Sequence, residues 1–141
     1  MTTNQHRIFI DANVFIGAYR KKCSQEDVDA IKRLYEHTGK RLYTSSLCIA
    51  ELAATLQKEL TDDAIRNAIE DIRKRVIVLS FTNDDITAAL RLAYKDIEDN
   101  MQYVVAAKMK CLYFVTNNSK DFRSHPNIIV LRPRDTRTIP R

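Results

Sequence analysis

A short apolar run that ends in an acidic residue constrains the fold of this chain most strongly. Ile8, Phe9 and Ile10 are consecutive β-branched and aromatic residues, and Asp11 follows them directly. Such a run is typical of a strand buried on both faces of a parallel sheet. A carboxylate between this run and the apolar residues 14–16 must cap a helix, pair with a cation or hold a metal. Ligands of α/β folds bind at the carboxyl ends of strands, so the position of Asp11 alone makes it a candidate site residue.

Strand-like and helix-like segments alternate along the rest of the chain. Residues 41–44, 76–79, 111–115 and 127–131 have the composition of strands, and apolar residues recur at helical spacing between them. This alternation predicts a three-layer α/β/α sandwich with a central, mostly parallel sheet of four to five strands. Every strand-to-helix turn of such a sheet lies on one edge. We therefore expect Asp11 to lie near the polar turns at 44–46 and 116–118.

The size and composition fit one compact domain. The chain has 141 residues, of which 45% are hydrophobic, and this is enough for a real core. We predict a single domain over residues 1–131 and a basic, mobile tail over 132–141 that contributes nothing to the core. That tail could contact phosphate or serve only as a solubilising end. We find neither a bilayer-length apolar run nor the apolar core of a signal peptide, which predicts a cytoplasmic protein with no membrane partner.

The charge balance is compatible with a polyanionic partner but does not demonstrate one. The net charge is +5, from 23 basic and 18 acidic residues. Arg20, Lys21 and Lys22 are candidate phosphate contacts for RNA, although a solvated helix end explains them equally well. The three cysteines are best interpreted as reduced, small core residues. The three histidines, His6, His37 and His125, are best interpreted as surface residues.

Several oxygen-bearing side chains are expected to meet at the predicted edge of the sheet. Clustered carboxylates repel one another, so such a group persists only with a cation. Ligands that all supply oxygen suit Mg²⁺ or Mn²⁺ better than zinc. A water on such an ion can become a nucleophile toward a phosphodiester. The candidates are Asp11, Glu51, Asp96, Asp99, Asn118 and Asp121.

Each of these acids also has a structural explanation when it is taken alone. Asp11 could simply cap the helix that follows it. Glu51 lies within an apolar helix and could form a salt bridge with Lys or Arg. Asp96, Glu98 and Asp99 are ordinary acids for the first turn of a helix, where they favour the helix dipole. Only the joint pattern favours a metal site.

Four segments of the chain resemble, in order, the motifs of PIN-domain nucleases. Residues 9–15 are similar to the opening motif and residues 45–52 to the second acidic motif. Residues 96–103 resemble the third motif, and residues 114–122 the fourth. The resemblance covers almost the whole chain from Ile8 to about Leu131, and its size is that of the single-domain members, which include VapC-type toxins.

The resemblance implies a Mg²⁺- or Mn²⁺-dependent endoribonuclease that hydrolyses RNA phosphodiester bonds, with a cognate antitoxin and frequent homodimerisation. By motif position, Asp11, Glu51 and Asp99 would be the catalytic carboxylates around the metal. Asn118 stands where many members have a fourth acid, so this chain departs from that form, and Asp121 could substitute as a metal ligand. Auxiliary roles at the site would fall to Asp96, Thr116, Asn13 and Ser46.

The departure at Asn118 keeps a second hypothesis open. The chain could be a catalytically impaired PIN-like module that binds RNA or protein without cleaving it. Such a module would bind independently of EDTA, whereas an intact acidic site would bind Mn²⁺.

Overall fold

Five parallel strands form one sheet in a computed structural model that describes residues 6–36, 41–93, 96–122, 125 and 127–140, apart from the side chains of 121 and 122. The strands are β1(Arg7–Ile10), β2(Arg41–Ser45), β3(Ile77–Leu79), β4(Tyr113–Val115) and β5(Ile129–Leu131). The helices are α1(Ala12–Tyr19), α2(Gln25–Glu36), α3(Ser46–Leu56), α4(Asp62–Arg75), α5(Asn83–Arg91), α6(Ile97–Lys108) and α7(Ser119–Phe122). A 3-10 helix spans Pro133–Thr138.

The strand order β3-β2-β1-β4-β5 places β1 at the centre of the sheet. Phe9 of β1 is in register with Tyr43 of β2 on one side and with Phe114 of β4 on the other. The chain therefore changes direction across the sheet beside β1, and a crevice at such a point is the usual ligand site of an open parallel sheet. The predicted three-layer architecture and the parallel sheet are confirmed.

Side chains that alternate along β1 bury both faces of the sheet. Ile8 and Ile10 pack into a core with Leu52 and Leu56 of α3 and with residues of α1, α2 and α4. Phe9 points to the other face, where Phe114 stacks on it at a centroid distance of 4.9 Å. Helix α6 covers this second face. Two-sided burial explains why β1 is a continuous apolar run rather than an alternating one.

The prediction that residues 132–141 contribute nothing to the core is wrong. Pro133 begins the 3-10 helix, and Pro133 and Thr136 are buried. Ile139 is only 2% exposed and belongs to the core on the α2 side of the sheet. The Arg33 Nη1 atom of α2 donates to Thr136 Oγ1 at 2.6 Å. Buried Pro133, Thr136 and Ile139, together with the Arg33 hydrogen bond, therefore dock this arginine-rich segment, and Arg141 lies outside the described residues.

The predictions for the cysteines and histidines are confirmed only in part. Cys48 and Cys111 are free and buried, as predicted, while Cys23 is free and exposed. The interpretation of His125 as a surface residue is wrong, because its ring is buried and its Nε2 atom lies 3.1 Å from Asn100 Oδ1. His37 lies outside the described residues.

None of the helices that the structure describes is both long enough and apolar enough to cross a bilayer.

Candidate active site

Asp11 lies at the carboxyl end of β1 and caps α1. Its Oδ1 atom accepts a hydrogen bond from the backbone N–H of Ala12 at 2.8 Å. Its Oδ2 atom accepts from Thr116 Oγ1 at 2.8 Å and from Asn13 Nδ2 at 3.2 Å. Asp11 is thus a helix cap with a buried carboxyl group, and this cap does not exclude the metal-binding role that the sequence also predicts.

Asn13 and Thr116 hold this carboxylate from two different elements. Asn13 belongs to the first turn of α1, and Thr116 follows β4 directly. Asn13 Nδ2 also donates to Thr116 Oγ1 at 3.1 Å, and the backbone N–H of Asn118 donates to the same oxygen at 3.0 Å. The Thr116 hydroxyl accepts twice, so its single proton is directed at Asp11.

Glu51 of α3 faces a second glutamate, Glu98 of α6. The Glu98 carboxyl group interacts with that of Glu51, and the charges of Asp11 and Glu98 both raise the pKa of Glu51. The salt bridge that could have explained Glu51 is absent, because within the described ranges neither Glu51 nor Asp11 pairs with Lys or Arg.

The sequence did not single out Glu98 as a site residue. It shares the first turn of α6 with Asp96 and Asp99, and the helix dipole was explanation enough for an acid there. The signal that could have found it is the number of acids in this turn. Three acids within four residues exceed what a helix start needs.

Burial and neighbouring negative charges raise the pKa values of Asp11 and Glu51. Burial is the largest cause for Asp11, whose pKa is raised to about 6, although the hydrogen bonds from Thr116 and Ala12 oppose this rise and the charge of Glu98 adds to it. Burial is also the largest cause for Glu51, whose pKa is raised to about 7 with help from the charges of Asp11 and Glu98. An acidic group that is hard to ionise in this way is one that a cation would stabilise.

Asp96 and Asp99 occupy the start of α6, as predicted. Asp96 is the N-cap, and its Oδ1 atom accepts from the backbone N–H of Asp99 at 3.1 Å. Asp99, the residue that follows Glu98 in the chain, is buried. Its role as a third catalytic carboxylate stays a prediction.

The remaining candidates lie in different places. The exposed side chain of Asn118 follows Thr116 at the carboxyl edge of the sheet. Asp121 falls within α7, but its side chain is outside the described part of the structure. Ser46 does not point toward Asp11; its Oγ atom accepts from the backbone N–H of Phe81 at 3.0 Å and anchors the segment after β3.

The basic residues after α1 are exposed but partly engaged with an acid. Glu59 accepts from the backbone N–H of Lys21 at 2.8 Å, and its Oε1 atom lies 3.9 Å from Arg20 Nε. Glu59 therefore offsets part of the charge of Arg20, whereas its bond to Lys21 involves the backbone rather than the ammonium group. Contact with RNA at these residues stays a prediction.

A buried polar cluster links the two helices that carry the glutamates. Ser45 caps α3 and donates from its Oγ atom to Gln102 Oε1 of α6 at 2.9 Å, and the Cys48 thiol lies 3.3 Å from the same oxygen. Gln102 is only 2% exposed. The sequence missed Gln102, because a glutamine within an amphipathic helix carries no signal of burial.

The acidic edge fits a divalent cation by the chemistry of its donors. The carboxyl groups of Asp11 and Glu51 come from different elements, and both have raised pKa values. Mg²⁺ and Mn²⁺ prefer oxygen ligands of this kind. In the part of the chain that the structure describes, no three His, Cys, Asp or Glu side chains are grouped closely enough to hold a metal ion as they stand. Binding would therefore require some of these side chains to move toward one another.

A parallel three-layer α/β fold with carboxyl groups at the carboxyl edge of its sheet defines the class of protein. The family model described as PIN domain matches residues 7–120. The chain belongs to the PIN domain family, as the four sequence motifs predicted.

Relatives and solved structures agree with this assignment. The chain is 31% identical over 138 residues to Ribonuclease VapC1 of Aquifex aeolicus (strain VF5), with 91% of each chain covered. A chain of the DNA-bound VapBC structure from Salmonella typhimurium superposes with a TM-score of 0.69 at 18% identity, covering 92% of this chain and 99% of that one. The VapC20 toxin of Mycobacterium tuberculosis, described as cleaving the sarcin-ricin loop, gives a TM-score of 0.60 at 18% identity over 76% of this chain and 86% of that one. At such identities the structural likeness concerns the fold.

Proposed function

We propose that this chain is a divalent-metal-dependent endoribonuclease that hydrolyses RNA phosphodiester bonds as the toxin of a toxin–antitoxin pair. Membership of the PIN domain family supports a nuclease, and the similarity to Ribonuclease VapC1 supports RNA as the substrate. The observation that carries the proposal is the acidic edge itself. Asp11 and Glu51 come from distant parts of the chain, lie within each other's electrostatic influence and have no basic partner in the described residues.

Asp11, Glu51 and Asp99 would hold the cation, which we propose to be Mg²⁺ or Mn²⁺. When bound, such an ion activates a water toward the scissile phosphate and offsets the charge on the leaving oxygen. A carboxylate offers about four lone pairs, and Asp11 already uses three of them to accept from Ala12, Asn13 and Thr116. Its free capacity is on Oδ1, and the donors on Oδ2 keep the carboxyl group from rotating.

Glu51 would couple cation binding to pH. Burial and the charges of Asp11 and Glu98 raise the pKa of Glu51 to about 7. Ligation by Glu51 requires its ionised form. We therefore expect cation binding to strengthen as the pH rises from 6 to 8, with release of a proton into the buffer.

The fourth ligand position would differ from that of a fully acidic site. Asn118 can offer a carbonyl oxygen but no charge, so its contribution to cation affinity is smaller than that of a carboxylate. Asp121 could restore the missing charge from the helix that follows. We expect replacement of Asn118 by Asp to strengthen Mn²⁺ binding.

RNA, an antitoxin and a second copy of this chain are the proposed partners. The net charge of +5 favours a polyanion, and Arg20, Lys21 and Lys22 would contact its phosphates. The antitoxin is supported by the solved relatives, which include a toxin-antitoxin complex from Klebsiella pneumoniae. Homodimerisation would be tested by light scattering on the purified chain, and co-purification with the product of a neighbouring small gene would test the antitoxin.

The direct test is RNA cleavage by the purified protein with Mn²⁺ and with EDTA. We expect cleavage with Mn²⁺, none with EDTA, and a loss of at least about 100-fold in the Asp11→Asn variant, which keeps the shape but removes the charge. Asp63→Asn, which changes an exposed aspartate on α4, is the matched control and should cleave as the wild type does.

Two outcomes would contradict the proposal. Equal cleavage by Asp11→Asn and the wild type would exclude Asp11 from the reaction. Binding of RNA without cleavage and without any effect of EDTA would instead favour the catalytically impaired module that the departure at Asn118 suggests.

A further inference from the structure

Another buried carboxyl group, that of Asp27 on α2, is connected to the acidic edge by hydrogen bonds. Asp27 is only 4% exposed, although it occupies the first turn of an amphipathic helix whose acids would ordinarily face solvent. It packs against Gly17 of α1. A Cβ atom placed on Gly17 would lie 1.7 Å from Asp27 Oδ2, so only glycine leaves room for this carboxyl group. Glycine is unfavourable within a helix, but Gly17 is needed here because it lets Asp27 pack against α1.

Asp27 is joined to the segment after β4 by one hydrogen bond. Asn117 Nδ2 donates to Asp27 Oδ1 at 3.1 Å. A carboxylate can only accept, so the amide nitrogen of Asn117 must face Asp27. Asn117 is exposed and lies directly between Thr116 and Asn118 in the chain. The position of Asp27 therefore bears on the segment that carries two of the proposed site residues.

The chain of contacts continues from Asn117 to Asp11. The backbone N–H of Asn117 donates to Asn13 Oδ1 at 3.1 Å. A backbone N–H can only donate, which fixes the oxygen of the Asn13 amide toward Asn117 and its nitrogen toward Asp11 and Thr116. One orientation of the Asn13 amide thus satisfies Asn117, Asp11 and Thr116 together. This orientation depends on the position of Asn117, which its hydrogen bond to Asp27 fixes.

We propose that Asp27 is a positioning residue for the reaction: through Asn117 it fixes the segment after β4 and the Asn13 amide, and thereby orients the Asp11 carboxylate. The inference rests on the proposed nuclease function for its catalytic consequence. The alternative is that Asp27 only stabilises the start of α2, where its backbone N–H donates to Ser24 Oγ at 3.4 Å. These two roles predict different behaviour of Asn13.

The test compares Asp27→Ala with Asn117→Ala, which breaks the same link from an exposed position and so does not threaten the core. Asp29→Ala is the control, because Asp29 is exposed on the same helix and bonds only to Gln25 among the described residues. We expect both link variants to lower kcat for Mn²⁺-dependent RNA cleavage by about 10-fold, with KM for RNA within about 2-fold of the wild type, because no RNA-binding group is removed. Asp29→Ala should cleave as the wild type does.

A reversed pair separates positioning from simple stability. Asn117→Asp alone would place two carboxyl groups face to face and should lower kcat at least as far as Asn117→Ala. Adding Asp27→Asn restores a donor and an acceptor in the opposite direction. We expect the double variant to recover kcat to within about 2-fold of the wild type. Failure of this rescue, with the double variant folded, would overturn the proposal.

The side-chain amide resonance of Asn13 provides a readout that does not depend on activity. We expect its ¹H and ¹⁵N shifts to move in Asp27→Ala and Asn117→Ala and to stay unchanged in Asp29→Ala. Unchanged Asn13 shifts in Asn117→Ala would overturn the inference even if the enzyme is active. A wild-type protein that cleaves no RNA, but whose Asn13 resonance responds as expected, would overturn the proposed function and leave the positioning by Asp27 intact.

Discussion

Asp11 and Glu51 both have raised pKa values, yet the surroundings of the two carboxyl groups differ. The Asp11 half of the site (Asp11, Asn13 and Thr116) gives its carboxylate three hydrogen-bond donors from the described residues. The Glu51 half (Glu51 and Glu98) sets one carboxyl group against another. The Asp11 half is therefore organised before any ligand arrives. The pKa of Glu51, about 7, is raised above that of Asp11, about 6, so a cation would have the larger effect on Glu51.

The largest expected effect of this difference is on the pH dependence of stability in the metal-free protein. The pKa of Asp11 in the folded protein, about 6, lies above the value of 3.8 for a solvent-exposed aspartate, so between these pH values the folded state holds a proton that the unfolded state has lost. The stabilising contribution of Asp11 is therefore fully present below about pH 4 and is lost as the pH rises through about 6. Asp11 alone accounts for a loss of about 3 kcal/mol in the free energy of unfolding.

Urea denaturation in EDTA between pH 4.5 and 7.5 would measure this loss. Glu51→Gln should reduce it, because the variant removes a second carboxyl group whose pKa is raised in the folded state. The pKa of Asp85 is lowered, chiefly by its bond to Lys108 against the opposing effect of burial, so its own contribution is lost only below pH 4, outside the measured range. A free energy of unfolding that stays constant or increases with pH over this range would contradict the raised pKa values of Asp11 and Glu51.

A second prediction separates the two halves directly. Glu98→Gln removes a charge that helps to raise the pKa of Glu51, so that pKa should fall from about 7 by on the order of one unit. The pKa of Asp11 should fall by less, because Glu98 is the weakest of the causes acting on it. Carboxyl ¹³C titrations in EDTA would measure both values, with Glu26→Gln as an exposed control. Equal shifts at Asp11 and Glu51 would remove the distinction between the halves.

The third prediction concerns the Asp11 half. Thr116→Val keeps the shape of the side chain but removes a hydrogen bond that lowers the pKa of Asp11, so this pKa should rise above about 6. The variant also leaves two N–H groups without their acceptor, at a cost of about 1–3 kcal/mol in the free energy of unfolding. The same titration should find Glu51 little changed. A lowered pKa of Asp11 would contradict the direction of the Thr116 hydrogen bond.

Much of this architecture could be predicted from local patterns. The apolar run of β1 and the alternation of strands and helices were sufficient for the parallel sheet, because burial on both faces leaves a continuous apolar signature. The position of Asp11 at a strand end was sufficient to select it. These features depend only on neighbours in the chain.

What the sequence missed depends on contacts between distant segments. Glu98 was explained by the helix dipole, and only the fold brings it to Glu51, 47 positions away in the chain. Asp27 and Gly17 show their relation only when α1 and α2 pack together. The arginines of the last segment masked Ile139, one of the buried residues that dock it. The catalytic roles of Asp99 and Asp121 stay predictions, as does RNA contact by the residues after α1.

The most direct measurement for the central claim is a calorimetric titration of the wild-type chain with Mn²⁺ at pH 8 and at pH 6. We predict one binding event at pH 8 that is lost in Asp11→Asn and Glu51→Gln, is weaker at pH 6, and releases a proton whose heat depends on the buffer. Binding of Mn²⁺ that is unchanged by both substitutions and by pH would show that these carboxyl groups do not share a cation.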